Sequence, residues 1–374
     1  MRKIKVLQFS VAASKGGQTL YVLNSWKHID KTKFQFDFIT FDSKLDFEQQ
    51  LIDEGCKVYH MSCYPEENME QFIKEFDAIL IQHYDVIHIQ TSFWKDTIVE
   101  QRAMLAGVKK VIIHSHNTGC ARAWIKEPNE EALQRHLEVQ ARLNDKTATD
   151  FWACSAEAAK WLYGDKIKSN QIKIIKNAID TEQYSYKPNL RAQVRKELGI
   201  EDSFVVGHVG RFVYQKNHAF LVEVYNEVQK KCSDTILLLI GRGELRDDIE
   251  KQVKNLGLIT KVYFIDFQND VSKYYQAMDV FAFPSFFEGL PFTLVEAQTA
   301  GLPCLCSNRI SEEILLTDNI QQLGLDNIDV WVDKILELSQ GYERKDYSKL
   351  ISDAGHDIRK QVKELEKEYM NVDL

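Results

Sequence analysis

The sequence predicts an α/β protein built from two doubly wound parallel-sheet domains. Short apolar runs of strand character alternate with helical segments over most of the chain, the pattern of repeated βα units. At 374 residues the chain exceeds what one ordinary core organises, so about two domains are expected. Between two series of such runs, residues 177–190 (NAIDTEQYSYKPNL) are polar, contain Pro188 and show no periodicity, as a linker would.

The first series opens with IKVLQF (4–9), followed by SVAASKGGQTLYVLNSW, a glycine loop leading into a helix. Adjacent Gly16 and Gly17 would let backbone approach a phosphate, although a plain turn explains two glycines as well. There is no Gly-x-Gly-x-x-Gly and no Walker-type lysine after them, which argues against a dinucleotide-binding oxidoreductase and a P-loop enzyme. Strands FQFDFITF (34–41), KVYHM (57–61), DVIHIQ (85–90), KKVIIHSH (109–116), TDFWACS (149–155) and IKIIKNAID (172–180) follow. Ligands of such sheets gather at the carboxyl ends of strands, where His88, His114 and His116 read as standing. His88 and His114 are taken as satisfied structural histidines. Residues 117–147 read as a loop carrying Arg122, Trp124 and Lys126, then a long amphipathic helix. That loop suits contact with an acceptor or a membrane surface, or is an ordinary exposed loop.

The second series starts with the helix RAQVRKELGI and the strand FVVGHVGRF (204–212), which runs into VYQKNHAFLVEVYNEV. Arg211 and Lys216 fall just past the strand, where a guanidinium and an ammonium can clamp a diphosphate. TILLLIGRGELRDDI (235–249) is a strand, a loop with Gly241 and Gly243, and a helix; KVYFIDFQNDVSKYYQAMD (261–279) follows, with Tyr274 and Tyr275 read as helix packing. The stretch VFAFPSFFEGLPFTLVEAQTAG (280–301) is a buried strand, a sharp loop, and a helix with Pro291 in its first turn. The N–H groups and dipole of that helix start suit an anion. Glu288 and Glu296 can accept hydrogen bonds from hydroxyls, as on a ribose and a second sugar beside a diphosphate; equally, Glu288 can cap the helix and Glu296 can be an acid favoured by the dipole. PCLCSNRISEEIL is a strand and short helix, the pattern then weakens, and IRKQVKELEKEYMNV (358–372) is an amphipathic helix.

A hydrophobic fraction of 44% with 27% charged residues is that of a soluble globular protein, and a net charge of −8 argues against a general nucleic-acid binder. Seven cysteines, with no Cys-x-x-Cys and mostly in apolar runs (Cys56, Cys154, Cys304, Cys306), read as buried thiols of a reducing cytosol rather than a zinc site. No run of 18 apolar residues exists, so no membrane span is expected.

The string FPSFFEGLPFTLVEAQTAGLP resembles the Glu-x7-Glu signature of the retaining family-four glycosyltransferases, which have the GT-B fold, and the match extends well past the two glutamates. GRFVYQKN resembles the family's Gly-Arg-x4-Lys-Asn motif, Gly241 and Gly243 its Gly-x-Gly, and IIHSHNT the place of a histidine facing donor sugar and acceptor. Arg242 stands where the family more usually has Asp and is assigned no role; Asp266, beside the place the resemblance implies for the base, stands where the family tends to have Gly.

The resemblance implies a GT-B protein with two Rossmann-like domains facing across a cleft. Residues 1–178 would bind the acceptor, 179–355 the nucleotide-sugar donor, and a C-terminal helix at 356–374 would cross back to the first domain. It implies catalytic roles for His116, Arg211, Lys216 and Glu288, and donor contacts from Gly16, Gly17, Arg211, Lys216, Gly241, Glu288, Gly289, Leu290, Pro291, Phe292, Thr293 and Glu296. Both cations would hold the leaving diphosphate. No metal and no cofactor is expected beyond the donor, for which the resemblance suggests a UDP-sugar. The acceptor would be a glycan or lipid-linked species of capsule or exopolysaccharide assembly, at a cytoplasmic site with peripheral contact at the inner membrane face. Lys160, Lys166, Lys168, Lys173 and Lys176 form a basic run for such contact, or a solvated surface. A GT-B nucleotide-sugar epimerase and a non-catalytic partner subunit are the competing readings.

Overall fold

The computed structural model describes residues 2–13, 16–120 and 129–372. They form two compact units. One takes the chain as far as Cys120, Asn129–Asn177 and the segment from Ile358; the other takes Ala178–Asp357.

The first unit holds a seven-stranded parallel sheet of β1 (Ile4–Phe9), β2 (Phe34–Thr40), β3 (Val58–His60), β4 (Val86–Thr91), β5 (Lys110–Ser115), β6 (Asp150–Ala153) and β7 (Ile172–Ile174), in the order β3-β2-β1-β4-β5-β6-β7. The central strands are buried on both faces because helices cover both sides, which is why they read as near-continuous apolar runs. The helix Gly17–His28 has Gly16 as its N-cap, and its Tyr21 ring is buried. The helix Ile358–Met370 packs in this unit through Ile358, Val362, Leu365 and Tyr369, one apolar stripe at helical spacing. Its opposite face donates carboxylates. Glu364 and Glu368 pair with Lys173, and Glu368 also lies 3.8 Å from Lys110. Lys173 is therefore spent on this helix, and the run Lys160–Lys176 is not a uniform exposed basic patch.

The second unit holds a six-stranded parallel sheet of β8 (Phe204–Val209), β9 (Thr235–Ile240), β10 (Val262–Ile265), β11 (Val280–Phe283), β12 (Cys304–Ser307) and β13 (Ile320–Leu323), in the order β10-β9-β8-β11-β12-β13. Its core sets Val206, Leu237, Leu239, Val280 and Ala282 of the sheet against Leu221, Val224, Tyr225 and Trp331 of the helices His218–Lys231 and Ile328–Ser339. The entry to β11 is braced by Asp279, which accepts from Arg191, Arg195 and the Val205 amide.

Some expectations need correction. The stretch 177–190 is not plain linker: Asp180 caps a short helix Thr181–Tyr184, and Pro188 is the first residue of the helix Pro188–Leu198, which closes on Gly199 in the left-handed region (φ 66°). Pro291 is the N-cap of its helix rather than a first-turn residue, and the helix runs Phe292–Thr299. The helix after residue 128 spans only Glu130–Gln140. β13 and Ile328–Ser339 lie where the sequence pattern fades. Arg122, Trp124 and Lys126 lie outside the described residues. Cys56, Cys304 and Cys306 are buried thiols whose pKa burial raises, to about 11 for Cys56 and about 12 for Cys306. Among the described residues no helix is long and apolar enough to cross a membrane.

Candidate active site

In each sheet the strand order reverses once, between β1 and β4 and between β8 and β11. Loops leaving two neighbouring strands diverge there and open a crevice at their carboxyl ends. In the second unit the two loops at the reversal are the ones the sequence singles out: Gly210–Asn217 after β8 and Pro284–Pro291 after β11.

These loops are joined by Gln215. Its side chain donates to the Phe287 carbonyl (2.8 Å), and its carbonyl accepts from the Phe286 amide (2.8 Å). Tyr214 stacks on Phe286 at 4.7 Å between ring centroids. Asn217 takes a left-handed conformation (φ 53°) and ends the single turn Tyr214–Lys216, which sets the lysine side chain across the strand end. Lys216 Nζ lies 2.7 Å from Glu288 Oε1 and 4.6 Å above the Phe283 ring, with the lysine side chain 14% and the glutamate side chain 8% exposed. The sequence therefore places a nearly dry ion pair at the switch point. Arg211, half-buried, is in the same loop.

Gly241 and Gly243 have a structural reason to be glycine. A Cβ on Gly241 (φ 148°) would stand 2.0 Å from the Gly210 carbonyl oxygen, and one on Gly243 (φ 155°) 2.5 Å from that of Phe212. Phe212 N–H donates to the Arg242 carbonyl at 3.0 Å. The two loops thus pack backbone on backbone, and Arg242 contributes its carbonyl. Behind them, His208 donates from Nδ1 to the Ala282 carbonyl (2.8 Å), and burial, with Lys216 nearby, depresses its pKa to about 3. Neutral His218 stacks on Phe212.

The helix Phe292–Thr299 is buried along almost its whole length, so Glu296 is an interior carboxyl, 3% exposed. Tyr275 donates to its Oε2 at 2.8 Å, and Tyr184 also hydrogen-bonds to it. Burial raises its pKa to about 7, with the two phenols pulling it down. Tyr275 is thus more than a packing residue, and Tyr184 stands in the stretch read as linker; neither role was visible in sequence. Pro291 cannot cap Phe292 or Thr293 with a side-chain oxygen, so a bound anion is a fitting partner for the first N–H groups of the helix. Ser285 Oγ and Thr293 Oγ1 on the same strand–loop–helix are buried without a partner. Gly289 and Leu290 lie in the turn between Glu288 and the helix, both buried.

In the first unit, Gly16 (φ −70°) precedes its helix, and a Cβ there would meet nothing within 4 Å. Neither backbone nor packing demands glycine at that position. Gly17 opens the helix, and Tyr21, one turn on, places its ring edge-on to His114 (4.8 Å) and tilted to His116 (5.0 Å). His116 follows β5, His114 lies inside it, and His88 is in the middle of β4 rather than at its end. All three are nine-tenths buried or more, and burial depresses their pKa values, that of His116 to about 3. Among the described residues no three His, Cys, Asp or Glu side chains converge as a metal site.

Known proteins carry the same architecture. Residues 15–183 match the model described as Glycosyltransferase Family 4, and residues 191–354 the model described as Glycosyl transferases group 1. EpsF of Bacillus subtilis (strain 168), named a glycosyltransferase, is 28% identical over 96% of this chain and 94% of its own length. An Escherichia coli protein named UDP-Gal:alpha-D-GlcNAc-diphosphoundecaprenol alpha-1,3-galactosyltransferase is 28% identical over 73% of this chain and 71% of its own. The crystal structure of Anabaena HepE in complex with UDP and glucose superimposes with a TM-score of 0.75 at 18% identity, covering 98% of this chain and 99% of that one. The chain belongs to the family 4/group 1 glycosyltransferases of GT-B fold, as the motif resemblance implied.

Proposed function

We propose that this glycosyltransferase moves a sugar, with retention of anomeric configuration, from a UDP-sugar to a lipid-linked or glycan acceptor in surface-polysaccharide assembly. The observation that carries the reading is the Lys216–Glu288 pair at the β8/β11 switch point, beside Arg211 and a helix start. Two cations and a helix dipole suit a diphosphate whose charge grows as the glycosidic bond breaks. No metal is needed for that stabilisation. The Escherichia coli relative is named for UDP-Gal and a diphosphoundecaprenol acceptor, which favours a uridine donor and a lipid-linked acceptor here, met at the cytoplasmic membrane face. Capsule or exopolysaccharide assembly follows from the family resemblance alone.

In this reading the bond between the sugar's C1 and the diphosphate oxygen breaks on the face where the acceptor hydroxyl approaches. The acceptor oxygen bonds to C1, and its proton passes to the departing diphosphate. Lys216 leaves Glu288 for the diphosphate, which frees that carboxylate to accept from a hydroxyl of the donor sugar. Glu296 accepts from the ribose. Gly289, Leu290, Pro291, Phe292 and Thr293 line the sugar and phosphates, with Gly241 at the nucleotide, Gly16 and Gly17 at the phosphates, and His116 at the sugar. The first unit binds the acceptor.

The test is product analysis with EDTA present, using labelled UDP-sugars with and without a synthetic undecaprenyl-diphosphate sugar. A new glycosidic bond of unchanged anomeric configuration, formed only with acceptor, is the expected result. Isomerised nucleotide sugar without acceptor would show an epimerase, and neither product nor nucleotide binding would leave a non-catalytic subunit.

A further inference from the structure

The first unit contains a hydrogen-bonded chain of buried neutral side chains that runs from His116 to the C-terminal helix. His116 Nε2 lies 2.6 Å from Gln90 Oε1, and Gln90 Nε2 donates to Gln8 Oε1 at 3.0 Å. Gln8 Nε2 lies 3.5 Å from the Tyr369 hydroxyl, which is 2.7 Å from His88 Nδ1. His88 Nε2 is 3.2 Å from His114 Nδ1, and the two rings are parallel. The far nitrogen of His114 is buried and has no hydrogen-bond partner. All six side chains are buried, and the three imidazoles are neutral because burial disfavours their charge.

The two amides set the direction: Gln90 Nε2 donates to Gln8 Oε1 and Gln8 Nε2 to the Tyr369 oxygen, so Gln90 Oε1 is left to accept from His116 Nε2–H. With its oxygen accepting from Gln8, Tyr369 donates to His88 Nδ1, and His88 donates from Nε2 to His114 Nδ1.

We infer that Tyr369, acting through Gln8 and Gln90, holds His116 in the Nε2–H tautomer, so that Nδ1 is a fixed acceptor for a donor group of a ligand. His116 Nδ1 is buried and has no partner within the protein. Gln90 and Tyr369 are positioning residues, and the helix that ends the chain sets the protonation of a residue at the opposite end of this network. That a sugar hydroxyl is the group accepted rests on the proposed transferase reading; the tautomer itself does not.

The test is long-range ¹⁵N–¹H NMR of histidine-labelled protein, which distinguishes protonated from lone-pair imidazole nitrogens without any substrate. His116, assigned by its absence in His116→Asn, should show one Nε2–H form in the wild type. Tyr369→Phe removes the hydroxyl that accepts from Gln8, and Gln90→Leu the direct acceptor; in both, His116 should populate both tautomers. Melting curves identify a variant that has merely unfolded, and Gln90→Asn, retaining an amide, serves as a second variant in that case. A wild-type Nδ1–H form, or a tautomer unmoved in folded Tyr369→Phe and Gln90→Leu, overturns the inference. If transfer is found, Gln90→Leu should lower kcat about tenfold, the scale of one lost hydrogen bond, with KM for the donor little changed. An altered tautomer without any transferase activity would leave the inference standing and remove the functional reading.

Discussion

The two units present polar groups at their sheet ends by opposite physical means. In the second, a nearly dry ion pair stands where two adjacent loops meet, and an interior carboxyl lies in the helix that follows. In the first, burial has driven His88, His114 and His116 to neutrality, and amides and a phenol orient them. The charged site is poised to exchange one ionic partner for another. The neutral one is poised to accept a single hydrogen bond in a fixed direction.

The largest expected effect separates glycines kept for packing from glycines available to a ligand. Gly241→Ala forces a Cβ into the Gly210 carbonyl at a φ that side chains rarely adopt, and should cost about 4 kcal/mol or prevent folding. Gly16→Ala should leave urea-denaturation midpoints almost unchanged, since nothing surrounds its Cβ. Lost turnover in that stable variant would mark Gly16 as a place where a substrate meets backbone.

Next in size is Lys216→Ala. Turnover should fall about 10²- to 10³-fold if the ammonium stabilises the departing diphosphate. Folding should suffer too, by about 3 kcal/mol, because Glu288 is left buried without its cation. A double variant, Lys216→Met with Glu288→Gln, should recover the stability and not the turnover, as chemical denaturation and initial rates would show.

Glu296→Gln sharpens the contrast through pH. Burial lifts the Glu296 carboxyl from an ordinary 4.5 to about 7. Between those values the folded chain holds a proton that the unfolded chain has lost, so this group makes stability fall as pH rises through that window. The amide variant should therefore be more stable than the parent by about 3 kcal/mol at pH 8, with the gain gone below pH 4.5. Tyr275→Phe, which removes one donor to the carboxylate, should cost about 1 kcal/mol at pH 8.

What was legible follows the same divide. The strand, loop and helix around Glu288 are contiguous in sequence, and the buried runs of β8, β9 and β11 announce themselves by composition. Arg211, Lys216, Glu288 and Glu296 could be named because charges in an α/β loop pattern need explaining and because the motifs match a family. The short strand β13 (IQQL) could not, since half of it is polar and its burial comes from β12 beside it. The helix Thr181–Tyr184 hid in a polar stretch, and with it Tyr184. The chain from His116 was beyond reach for a further reason: Gln8 and Gln90 are separated by 82 residues and His88 and Tyr369 by 281. Each of these residues alone reads as ordinary strand or helix packing, and only the sheet order brings them together.

The most direct test of the central claim, that the loops at the β8/β11 reversal hold a nucleotide diphosphate through Lys216, is a thermal-shift titration with UDP and uridine in EDTA. It should compare wild type with the Lys216→Met/Glu288→Gln variant. UDP at a hundredfold excess over its dissociation constant should stabilise the wild type by about 2.7 kcal/mol. The double variant should lose most of that stabilisation while responding to uridine as the wild type does. An equal UDP shift in both proteins would contradict the claim and move the diphosphate away from this pair of loops.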